Sequence, residues 1–156
     1  MNPNREIFSA KLEEMERQYG KMQSRIRICG QEDHEKIRKE LQKAAEEYSE
    51  YILSLQKAAC ESRSPAIREL AKAQLEYIKK TESLLKDGRI GSFIHCEKSS
   101  PQEDTAEAAA LYAEYAIDYA VQASRYALAA VLSAEDLQMN IEEQKGASPY
   151  AGSAKT

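Results

Sequence analysis

Apolar residues recur at alternating spacings of three and four residues along most of the chain, and almost all Gly and Pro residues lie between or beyond those runs. Because an α-helix has 3.6 residues per turn, this spacing places the apolar side chains on one face of a helix. The runs predict four helices, over residues 4–29, 33–61, 65–87 and 101–144. Val and Thr, which favour strands, number two and three among 156 residues. The sequence therefore predicts an all-α fold.

The residues between the apolar runs are typical of helix starts and ends. Ser64-Pro65 combines an N-cap with a proline in the first turn, and Ser100-Pro101-Gln102-Glu103 is a capping box that also contains proline. Gly30 is expected to end the first helix in a left-handed conformation, and Gly88 follows the third helix. These signals support the boundaries that the apolar spacing predicts.

Short connections between amphipathic helices favour an antiparallel bundle. We predict an antiparallel four-helix bundle, with ferritin-like or up-down-up-down connections, forming a single domain over residues 1–144. Residues 145–156 are mostly Gly, Ser, Ala, Lys and Pro, and we expect them to be a disordered tail.

Charge and cysteine content indicate a soluble cytoplasmic protein. The 22 basic and 26 acidic residues alternate along the chain and give a net charge of −4, so no basic surface for nucleic acid is expected. The most apolar stretch, residues 108–134, contains three charged residues, which argues against a membrane span, and the charged start argues against a signal peptide. Three cysteines without a Cys-x-x-Cys pattern suit a reducing compartment.

The fourth predicted helix contains a seven-residue repeat of Ala and Tyr. From residue 109 it is AALYAEY, AIDYAVQ, ASRYALA and AVLSAED, and the first three copies match Ala-x-x-Tyr-Ala-x-x. A spacing of seven keeps the repeated residues on one face. Two columns of Ala, with tyrosines lining the groove between them, are expected to form a candidate interaction surface. Its residues are Ala109, Tyr112, Ala113, Ala116, Tyr119, Ala120, Ala123, Tyr126, Ala127 and Ala130.

Three interpretations of this repeat are open. It is the tightly packed helix of the bundle core, since stripes at helical spacing are usually core. It is a docking surface for a second copy or another protein, through knobs-into-holes contacts. Or it lines a ligand cleft with tyrosines.

Patterns typical of several enzyme classes are missing from the sequence. Ferritin-type di-iron sites need Glu three residues before a ligating His. Gln31 precedes His34 and Ser92 precedes His95 at that spacing. There is no Gly-rich phosphate loop, and His95 and Cys96 are sequence neighbours, which do not face each other as a base and a nucleophile must. We therefore predict that the protein is not an enzyme and holds no cofactor.

A metal or ligand site is the alternative. In an up-down-up-down bundle the connections after the first and third helices meet at one end, which would place Cys29, His34, His95 and Cys96 together as a tetrahedral zinc site. A pocket among Tyr48, Tyr51, Tyr77 and the tyrosine column is a second form of this hypothesis. The protein would then be a small metal- or ligand-binding regulatory bundle.

Residues 59–70, Ala-Cys-Glu-Ser-Arg-Ser-Pro-Ala-Ile-Arg-Glu-Leu, form a short Ser-Pro turn followed by an Arg-containing helix start, and Lys-Asp-Gly follows at residues 86–88. With these features, residues 33–88 resemble the ferritin-like helical proteins of bacterial spore coats. The resemblance implies a ferritin-like fold, and missing metal ligands do not count against it, because such proteins resemble ferritins in fold more than in chemistry.

Taken together, these patterns favour a non-enzymatic structural or assembly protein. We expect it to form a homo-oligomer, or to dock a protein partner, through its fourth helix.

Overall fold

The computed structural model describes residues 3–147, and every regular element among them is helical. The elements in order are α1 (Pro3–Ile26), a 3-10 helix (Arg27–Gln31), α2 (His34–Glu61), α3 (Pro65–Lys86), α4 (Arg89–Ile94) and α5 (Pro101–Gly146). This confirms the all-α prediction. The four long helices occupy the segments that the apolar spacing predicts, and α4 is a short additional helix in the linker.

The largest departure at a helix end follows α1. The α-helix ends at Ile26 and continues as the 3-10 helix through Gln31, whereas the prediction continued it to Cys29. The prediction for Gly30 is wrong, because the left-handed residue is Glu32 with φ 52°, and its N–H donates to the Cys29 carbonyl oxygen. The tight 3-10 helix therefore places the left-handed residue two positions later than predicted, at Glu32 instead of Gly30.

The capping predictions are confirmed. Ser64 Oγ accepts from the Ile67 N–H at the start of α3. At the start of α5, Ser100 Oγ accepts from the Glu103 N–H at 3.2 Å, and Glu103 Oε2 accepts from the Ser100 N–H at 2.7 Å. These two reciprocal bonds satisfy donors that the first helical turn otherwise leaves free.

The end of α5 corrects the prediction of the tail. Lys145 and Gly146 belong to the helix, so the expected disordered segment does not begin at residue 145. Residues 148–156 of that segment lie outside the described residues.

The chain divides into two compact units, Met1–Arg89 and Ile90–Thr156. The single domain over residues 1–144 and the antiparallel four-helix bundle remain predictions.

In the first unit, α2 and α3 form an antiparallel hairpin. Ala59 on α2 and Ala71 on α3 are each 5% exposed, and such small side chains allow two helix backbones to approach closely. Tyr48 donates to Glu82 Oε1 at 2.9 Å, and Gln74 Nε2 donates to the Tyr51 hydroxyl at 2.9 Å, so side-chain bonds also join the two helices.

Much of the predicted apolar face of α1 and α2 is exposed. Leu41 on α2 is 67% exposed, and Met15 and Tyr19 on α1 are 47% and 56% exposed. Among the described residues, the buried apolar residues are Ala59, Ala71 and Ala108. Within the first unit, most of the apolar seams of α1 and α2 are therefore exposed.

Candidate interaction surface

The Ala/Tyr repeat lies in the middle of α5, a continuous helix of 46 residues, which is about 69 Å long at 1.5 Å per residue. Every Ala of the candidate surface is exposed. Tyr112 is half-buried, Tyr119 is 38% exposed and Tyr126 is 75% exposed. The second unit by itself therefore does not bury this face, and the interpretation of the repeat as bundle core stays a prediction.

The tyrosines do not line a groove between the two Ala columns, so this part of the sequence prediction is wrong. At about 100° per residue, Ala116 and Ala123 lie within roughly 60° of Ala120 around the helix axis, and Tyr119 lies roughly 100° away. The two Ala columns are therefore adjacent, and the tyrosine column borders them on one side.

Large apolar side chains are exposed on α5 well beyond the repeat. Eleven of them are between 38% and 75% exposed. They are Leu111, Tyr115, Ile117, Tyr119, Val121, Tyr126, Leu128, Leu132, Leu137, Met139 and Ile141. Together they present on the order of 1,000 Å² of accessible surface, from the usual areas of large side chains. A contiguous apolar surface of more than a few hundred Å² on a soluble protein usually marks an interaction site.

One narrow line of polar side chains interrupts this apolar surface. Glu114, Asp118, Gln122 and Arg125 are exposed and lie on the side of α5 opposite the Ala columns. We assign this line to the solvent-facing side of the helix.

A second group of polar residues lies where α4 leads into α5. Asp104, in the first turn of α5, is 8% exposed, and its Oδ2 lies 2.5 Å from His95 Nδ1. The hydroxyl of Ser99 lies 3.5 Å from the same ring nitrogen. Asp104 Oδ1 is buried and has no hydrogen-bond partner. Hydrogen bonding by Ser99, and then by His95, lowers the pKa of Asp104.

Ser99 also interacts with Cys96. Its hydroxyl accepts from the Cys96 N–H at 3.1 Å and donates to the Cys96 carbonyl at 2.9 Å. The pKa of the exposed Cys96 thiol is lowered, mainly by the Ser99 side chain and also by the Lys98 backbone.

The four predicted zinc ligands are divided between the two units. Cys29 and His34 belong to the first, and His95 and Cys96 to the second. Among residues 3–147, no three His, Cys, Asp or Glu side chains are grouped in a way that would hold a metal ion. A zinc site formed by these four residues remains a prediction.

The predicted tyrosine pocket is divided in the same way. Tyr48, Tyr51 and Tyr77 lie on the α2–α3 hairpin, and the tyrosine column lies in the second unit. A cavity of about 340 Å³ in the first unit lies instead between α1 and α2, against Met22, Ile26 and Ile37.

Arg25 borders this cavity and joins α1 to α2. Its Nε donates to Glu40 and its Nη1 donates to Glu47, and the bond from Arg25 lowers the pKa of Glu47.

Sequence analysis did not identify Asp104, Ser99, Tyr115 or Arg25. Tyr115 was detectable, because it lies four residues before Tyr119, and the two rings stack with centroids 6.4 Å apart. The ion-pair contacts that Asp104 and Arg25 make could not be predicted, because their partners lie nine or more positions away in the sequence and no motif in this chain relates residues at that separation.

No helix within the described part of the chain has the combination of length and low charge that crossing a lipid bilayer requires.

Comparison of the chain with protein-family models, with curated proteins and with solved structures gave no match. The resemblance of residues 33–88 to ferritin-like spore-coat proteins therefore stays an expectation from the sequence.

Proposed function

We propose that this protein is a non-enzymatic structural or assembly protein whose copies associate with one another through α5. The observation that carries the proposal is the exposed apolar surface of α5. A stable interface buries roughly 800 Å² per partner, which is of the same order as the surface that the eleven exposed side chains present.

The composition of the surface also supports self-association. The exposed alanines allow a second helix to approach closely, and the repeat of seven keeps the contact residues aligned along a left-handed pair of helices. The polar line lies on the far side of the helix, so helices can pair without burying its charges.

The antiparallel four-helix bundle is part of the same proposal. An amphipathic helix is stable in water chiefly through packing of its apolar face. Exposed apolar residues along α1, such as Leu12 and Met22, supply a further face that such packing would cover.

The test is the mass of the untagged full-length protein in solution, measured by light scattering and by native mass spectrometry over a range of concentrations. We expect a mass of two or more bare chains. A single-chain mass at every concentration would overturn the proposal, and a single chain carrying zinc or a small molecule would favour the regulatory alternative.

A variant with Ala116→Leu, Ala120→Leu and Ala123→Leu tests whether α5 is the contact surface. Three leucines would hold neighbouring helices apart, so the associated mass should be lost while circular dichroism shows retained helix. Ala129→Leu is the matched control, because it makes the same change beside the polar line. Glu114→Ala and Asp118→Ala should also have little effect. If the triple variant associates as the natural chain does, α5 is not the interface.

A further inference from the structure

We draw no further inference here: the strongest candidate, the apolar cavity of about 340 Å³ that Met22, Ile26 and Ile37 line between α1 and α2, carries none because nothing in the structure shows what covers or fills it.

Discussion

At the scale of single residues, Asp104 is the acidic side chain most constrained by its surroundings. It lies in the first turn of α5, is 8% exposed, and contacts His95 through one carboxylate oxygen while the other has no partner. Hydrogen bonds to a carboxylate and the positive end of the helix dipole both favour its charged form. The residue thus links the turn after α4 to the start of α5.

Ser99→Ala and His95→Ala should each raise the pKa of Asp104 towards its ordinary value of about 3.9, because each removes a partner of the carboxylate. In the natural chain the folded pKa is the lower one. Asp104 therefore stabilises the start of α5 above its ordinary pKa, and this contribution is lost as the pH falls through the folded value. NMR titration of the Asp104 carboxyl carbon measures the change, with Ser133→Ala as a distant control. An identical pKa in all four proteins would contradict the assignment.

At the scale of helices, local sequence signals and tertiary contacts contribute separately to stability. The start of α5 depends on Ser100 and Glu103, which lie within one turn of each other. The α2–α3 hairpin depends on close approach at Ala59 and Ala71, which are twelve residues apart in sequence. These two features lead to two predictions about stability.

Ser100→Ala should lower the free energy of unfolding by about 1 kcal/mol, because the N-cap oxygen that accepts from Glu103 is removed. Urea unfolding followed by circular dichroism measures this loss. Ser124→Ala is the control, since Ser124 is exposed in mid-helix and bonds to its own helix backbone at Ala120, and it should change stability by less than about 0.5 kcal/mol. Equal effects of the two changes would count against the capping box.

Ala71→Leu should destabilise the hairpin by about 1–3 kcal/mol, because a larger side chain at a buried contact forces α2 and α3 apart. Ala73→Leu makes the same change at an exposed position of the same helix and should be nearly neutral. Hydrogen exchange of the α2 and α3 amides reports the effect. Similar protection in both variants would show that Ala71 is not a packing contact.

At the scale of the whole molecule, the interleaving of acidic and basic residues along the chain does not extend to α5. α5 contains nine acidic and two basic residues, although the chain as a whole has a net charge of only −4. Copies that associate through α5 must bring these acidic helices together, so electrostatic repulsion opposes the apolar attraction.

Raising the salt concentration should therefore strengthen self-association. The Debye length falls from about 10 Å at 0.1 M to about 3 Å at 1 M, which screens repulsion between exposed charges and leaves apolar burial in place. Sedimentation velocity at several salt concentrations measures the shift. Weaker association at high salt would indicate an interface held by ion pairs instead, and would contradict contact through the apolar surface of α5.

The sequence by itself determined where the four long helices are. The starts at Pro65 and Pro101 were predicted to the residue, because the N-cap, the proline and the apolar spacing all act within one or two turns. The left-handed turn at Glu32 was not predicted, because Gly30 was the more obvious candidate for a left-handed residue. Which residue adopts that conformation depends on how the 3-10 helix ends. The position of the Ala/Tyr repeat on one face of α5 was likewise readable from spacing alone.

Only the tertiary structure decided which apolar faces are covered and which polar groups meet. The spacing of apolar residues shows that a helix has an apolar face. That spacing is the same whether the face packs within the chain or against another copy. The α2–α3 contact at Ala71 and the approach of His95 to Asp104 join residues that are distant in sequence, so no local pattern records them.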